Sequence, residues 1–208
     1  GRRLLAGFDP AVLFLFNPLF YISDLYTNFK MHVSNVKFLV LSIATLFVGL
    51  KYLPLAEAVI LGFMAPLFIT ALAHPLLGER VSIHRWLAVI GGLIGVAIVI
   101  RPGSGIWHWA AAMPLAGALC FSFFQLSTRR LARTESVDAM LYHTGVGGLA
   151  WSTFLVPFFW TETQPIHWWV FLGTGFLGAA AHLCMIQAFD RAQASLLAPF
   201  NYSKLLWS

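Results

Sequence analysis

YLPLAEAVILGFMAPLFITALAHPLLGERVSIHRWLAVIGGLIGVAIVIRPG, residues 52–103, holds two apolar stretches, 55–77 and 86–100, parted by a short charged turn. A helix rises 1.5 Å per residue, so about 20 apolar residues cross a hydrocarbon core of roughly 30 Å. Neither stretch alternates apolar with polar residues as a membrane barrel strand would. Both read as helices lodged in lipid.

The same reading extends in both directions. Apolar runs recur at 36–52, 107–128, 138–160, 166–188 and from 194 to Ser208. Of the 208 residues, 59% are hydrophobic and 10% charged, against about 25% charged in a water-soluble domain. The mean hydropathy is +0.79. The expected fold is an all-α integral membrane protein, a polytopic bundle of about seven helices. AVLFLFNPLFYI, residues 11–22, is too short to span and is interrupted by Asn17 and Pro18, so it reads as re-entrant or interfacial. Residues 23–35 are polar enough to predict a loop. The start at Gly1 and the stop at Ser208, inside an apolar run, read as a fragment of a longer chain.

Charge placement gives an orientation, because Lys and Arg stay on the cytoplasmic side. One set of loops carries Arg80, Arg85, Arg129, Arg130, Arg133 and Arg191, with Arg2, Arg3, Lys30 and Lys37 ahead of the first full run. The alternate set carries Lys51 and Arg101. Loops 78–85, 129–137 and 189–193 are therefore expected in the cytoplasm, and the chain in a bacterial inner membrane. The net charge of +5 is scattered between apolar runs and forms no basic stripe, so nucleic acid is not an expected partner. Cys120 and Cys184 lie within apolar runs and read as reduced packing residues.

An internal echo appears at an offset of 138 residues: LKYLPLAEAVILGFMAP from Leu50 and AFDRAQASLLAPFNYSK from Ala188 each run from a helix end through a polar break into a new apolar run. An odd number of helices between the copies makes the repeat inverted, as in many secondary transporters.

Residues 52–103 also carry a Leu-Pro-x-x-Glu-Ala opening, a mid-helix Pro, a Gly-Glu-Arg turn and a Gly-rich helix ending in Arg-Pro-Gly, in that order. This pattern resembles the EamA domain of the drug/metabolite transporter superfamily, and QAFDRAQASLLAPFNYSKLLW from Gln187 is similar to the matching part of a second EamA repeat. The resemblance implies ten helices in two inverted repeats of five, of which this chain would be a fragment covering the third to the ninth. Residues 1–35 would then be an atypical N-terminal segment, 36–105 the remainder of the first repeat, and 106–208 the second repeat, truncated before its last helix.

Ionisable and polar groups inside membrane runs mark candidate function. Glu57, Tyr142, His143, His182, Asn201, Tyr202 and Lys204 are the cavity candidates, with Asn201, Tyr202, Ser203 and Lys204 the densest polar group in any run. Each His also has a plain reading as an interhelical hydrogen-bonding group. Pro66, Pro114, Pro157 and Pro199 predict kinks. Gly91 and Gly95, in GxxxG register, and GTGFLGAAA from Gly173 predict close helix packing. The GTGFLG match to a dinucleotide fingerprint is rejected, since it lies inside an apolar run with no preceding strand. Trp107, Trp109, Trp160, Trp168 and Trp169 stand at run ends, as interfacial anchors do, while Trp151 lies inside its run.

The expected activity is transport of small metabolites or drugs by a secondary carrier working through alternating access. A proton as coupling ion rests on Glu57 and the histidines. The rival reading is an integral-membrane lipid-modifying enzyme, but no HExxH, GxSxG or GKS/T motif is present, so catalytic residues, a resident metal and a cofactor are not expected. The expected partners are a small-molecule substrate and the lipid bilayer, with a homodimer open.

Overall fold

The computed structural model describes the backbone of residues 18–100, 109–159, 162 and 164–206, with side chains from residue 29 onward except at 99–100, 158–159 and 204–206. Among the described residues the secondary structure is helical, without strands.

Helix α1 (Pro18–Leu50) runs unbroken through 23–35, where the polarity predicted a loop. That expectation is corrected by what the polar side chains touch. Asn35 is buried, and its Nδ2 donates to the Phe124 carbonyl and to Thr128 Oγ1, both at 3.0 Å. One turn away, buried His32 stacks on His143 with ring centroids 4.2 Å apart. In lipid such groups join helices, because the alternative is an unsatisfied polar atom. The polarity of this stretch marks a seam, and the expected run 36–52 is the second half of a longer helix. Of the short stretch 11–22, residues 18–22 open this helix and 11–17 lie outside the described residues.

The run 55–77 is likewise interrupted. It forms α2 (Leu55–Gly62) and α3 (Ala65–Leu77), with Phe63 and Met64 between them. Pro66 supplies the cause: it has no N–H to continue the ladder. Helix α3 ends at Gly78, whose φ of 68° is left-handed, with Gly78 N–H bonded to the His74 carbonyl (2.9 Å) and Glu79 N–H to that of Ala73 (3.3 Å). This glycine-closed turn reverses the chain toward α4 (Ile83–Ile100).

A 3-10 turn (Trp109–Ala111) leads into α5 (Ala112–Leu131), followed by α6 (Val137–Phe159) and α7 (Pro165–Arg191). The final run is not one α-helix: α8 (Ala194–Leu197) passes into a 3-10 segment (Ala198–Leu206) where Pro199 denies the α ladder a donor. Pro114, by contrast, sits in the first turn of α5, where there is no interior bond for it to break.

Helices α1 and α5 pack antiparallel along most of their length. Phe38 stacks on Phe123 (5.3 Å), and near the other end Pro114 lies against Gly49. A Cβ on Gly117 would fall 2.8 Å from Thr45 Oγ1 and 3.0 Å from the Ser42 carbonyl. Missing side chains therefore set the approach of these backbones. The main core joins Ile60 and Ile69 to Val89, Val96, Leu126 and Phe189. Outside it, α7 turns Trp168, Trp169, Phe176 and Leu177 outward, an arrangement suited to lipid and costly in water. Phe29–Leu50, Leu55–Leu77, Trp109–Leu131 and Pro165–Arg191 are long and apolar enough to cross a membrane, and Ile83–Ile98 is a shorter apolar helix.

Candidate functional site

The break between α2 and α3 opens onto a cavity of about 420 Å³. Ser42 and Leu46 of α1, Phe63 and Pro66 at the break, and Pro114 and Phe121 of α5 form its walls, with Asn201 contributed by the terminal 3-10 segment. No described lining residue is charged. Interrupted helices at membrane depth expose backbone polar groups, and are tolerated where they border protein or an aqueous cavity. The polarity of this cavity therefore comes from Asn201, Ser42 and nearby main chain.

The candidates chosen from sequence take unlike positions. Asn201 lines the cavity, with its Nδ2 bonded to the Ala198 carbonyl at 3.3 Å. Tyr202 is buried beside it and donates to the Phe63 carbonyl at 3.3 Å. Glu57 is buried in the first turn of α2, where a carboxylate meets the positive end of the helix dipole. Tyr142 is 67% exposed on the outer face of α6. His143 faces α1 at the His32 stack, its Nδ1 2.7 Å from the Ala139 carbonyl. His182 lies with its ring 5.9 Å from that of Phe124, and its Nε2 is buried without a hydrogen-bond partner. None of Glu57, Tyr142, His143 and His182 lines the cavity. The Lys204 side chain, with Trp107 and Trp160, lies outside the described residues. Trp151 is 39% exposed beside Phe154, on the surface of the bundle.

At the far end of α3 and α5 lies a second constellation, whose Arg129 and Arg133 entered the sequence analysis only as markers of orientation. Glu79, of the Gly-Glu-Arg turn, has a side chain only 3% exposed. Its Oε1 accepts from Arg129 Nε (3.0 Å) and Arg133 Nη2 (3.2 Å), and its Oε2 accepts from the Ala194 N–H (2.9 Å). Arg129 Nη1 also donates to the carbonyls of Phe189 and Asp190, and Arg133 Nη1 to that of Leu77 (3.3 Å). Beside them Arg85 Nη1 donates to Gln193 Oε1 and Ser195 Oγ, each at 2.6 Å. A buried carboxylate is tolerated when charge-assisted bonds satisfy it. The three arginine-bearing loops thus meet at one end of the bundle and are cross-linked there. The rise per residue puts this cluster roughly 20 Å along α3 from the break at Phe63.

Two elements of this picture carried no distinguishing sequence signal. Gly91 and Gly95, the GxxxG pair, have open space where a Cβ would be, whereas Gly92 between them is in contact with the Tyr202 ring. Ser42 and Phe63 sit in ordinary-looking apolar runs and Asn35 in the stretch read as a loop, and only packing assigns them places.

Comparison with known proteins places this architecture. Residues 10–101 match the EamA-like transporter family, a span that takes in residues 10–35. The chain is 32% identical to a riboflavin transporter of Rhizobium johnstonii over 84% of its own length and 58% of that protein. It is 22% identical to an S-adenosylmethionine uptake transporter of Rickettsia felis over 77% of its length and 54% of that protein. The chain thus spans a little over half the length of these curated relatives. A crystal structure 20% identical in sequence shares the fold, with a TM-score of 0.63 over 85% of this chain and 74% of the other. Its domain match, its relatives and its apolar helices together make the chain a multi-pass membrane protein whose residues 10–101 match the EamA-like transporter family, of the drug/metabolite transporter superfamily.

Proposed function

We propose that the protein is a secondary carrier that moves a small, flat, uncharged metabolite across the bacterial inner membrane by alternating access. The observation that carries this reading is the pairing of an uncharged cavity at a helix break with a bonded ion cluster some 20 Å along the same helices. A cavity bordered by one end of a bundle and sealed at the other is one of the two states such a cycle requires. Glu79, Arg129 and Arg133 form the closed gate on the cytoplasmic side, where the loop arginines belong. Residues 106–208 act as the second, inverted repeat.

The lining favours a particular substrate class. Phe63 and Phe121 offer aromatic faces, Asn201 and Ser42 offer hydrogen bonds, and no described carboxylate faces the cavity to pair with a cation. Of the compounds named for the relatives, a riboflavin-like ring system suits this wall better than a sulfonium cation. A proton gradient coupled through Glu57 or the histidines would drive the carrier.

Reconstitution into liposomes with labelled riboflavin outside tests the proposal. Saturable uptake, competed by excess unlabelled riboflavin, enhanced by an imposed pH gradient and weakened by Asn201→Leu, is the expected result. Uptake equal to that of protein-free liposomes overturns the substrate assignment, and a rate indifferent to the pH gradient removes the proton.

A further inference from the structure

Two interrupted helical segments meet beside the cavity. Pro54 and Gln193, 139 positions apart, adopt nearly the same extended conformation (φ −54°, ψ 144° and φ −67°, ψ 144°) before α2 and α8. This shifts the sequence echo by one residue and makes Phe63 and Tyr202, separated by the same interval, equivalent positions. Their rings stack with centroids 5.8 Å apart and 27° between planes, and the Tyr202 hydroxyl holds the Phe63 carbonyl. Phe63 faces the cavity, whereas Tyr202 lies behind it and does not. Behind Tyr202 in turn is Gly92 of α4, where a Cβ would fall 2.2 Å from Cδ2, 2.6 Å from Cε2 and 2.8 Å from Cγ.

We infer that Tyr202 is a positioning residue: wedged between Gly92 and Phe63, it holds Phe63 against the cavity and so sets the width of molecule the cavity admits. Phe63 stands between two helices, where the regular backbone ladder is interrupted, so its ring takes its place from what braces it. The brace is an aromatic face in front and a glycine seat behind. The inference deepens the carrier reading, on which the word substrate rests, but the brace itself can be tested without any substrate.

Cavity width can be read with maleimides of two sizes. With Cys120 and Cys184 replaced by Ser, a single cysteine placed by Ser42→Cys stands on the α1 wall of the cavity. In this background Tyr202→Leu is expected to raise the rate with fluorescein maleimide about tenfold while N-ethylmaleimide changes less than about twofold. Tyr202→Phe, which keeps the ring, should retain the parent ratio of the two rates. Gly92→Ala pushes the ring toward Phe63 and lowers the ratio, and adding Tyr202→Leu removes that effect. A ratio unchanged by Tyr202→Leu overturns the inference, even if Gly92→Ala fails to fold. Both rates rising together overturns it too, since general loosening would do that. Riboflavin binding, followed in parallel by flavin fluorescence, separates the two proposals: no binding by the parent protein with a shifted maleimide ratio refutes the substrate and leaves the brace standing.

Discussion

At the arginine-rich end of the bundle, one buried carboxylate collects donors from α5, from the turn after it and from the start of α8. About 20 Å along, the same α3 and α5 border a cavity whose described wall carries no charge and is shaped by prolines, glycines and aromatic rings. Directional bonds hold the first end, and their loss is all-or-none. The second is held by contact and shape, which change by small steps. A bundle built this way has one end suited to a discrete release and one suited to fitting a guest.

The sharpest way to break that contrast is Glu79→Ala. It strands Arg129, whose side chain is only 14% exposed, and leaves the Ala194 N–H without its acceptor. The expected loss is about 3 to 5 kcal/mol, read as thermal unfolding in detergent. A melting temperature within error of the parent would deny the cluster its role. Glu79→Gln keeps an acceptor for Ala194 and should lose less.

At the cavity end the corresponding change is steric. Gly117→Ala would bring a methyl against Thr45 Oγ1 and the Ser42 carbonyl, and should cost about 1 to 3 kcal/mol as α1 and α5 part. The same thermal assay checks it; a neutral result would mean that this packing yields without cost. Next is Gly78→Ala, in the turn that presents Glu79. Nothing crowds a Cβ there, so the expected cost of roughly 1 kcal/mol comes from the φ of 68° alone. Smallest is Arg133→Gln. That side chain is 44% exposed and Arg129 remains on Glu79, so a change of at most about 1 kcal/mol is expected. A larger drop would make Arg133 the principal partner.

These two ends differed in how far sequence could reveal them. The apolar runs were legible because lipid demands length and apolarity of any helix that crosses it. The division of 55–77 was foreshadowed by Pro66, and Asn201 by its place in the one dense polar group. Residues 23–35 misled because polarity was taken for solvent contact, when Asn35 spends it on Phe124 and Thr128. Glu79 stood in the Gly-Glu-Arg turn of the recognised pattern, yet its partners Arg129 and Arg133 lie 50 and 54 positions away. As a run of bases RRLAR says which side it occupies, and folding alone says what it grips. Gly92 was hidden for a similar reason: a glycine's use depends on which foreign side chain fills the space it leaves.

Arg129 has one more consequence. Its guanidinium reaches the carbonyls of Phe189 and Asp190, in the last turn of α7, and so serves as a cap lent by another helix. Were α5 to withdraw, that turn would lose its stopper and fray. Opening this end would therefore be a small melting event as well as a movement, and amide hydrogen exchange over 186–192 should quicken if the proposed carrier cycle parts α5 from α7.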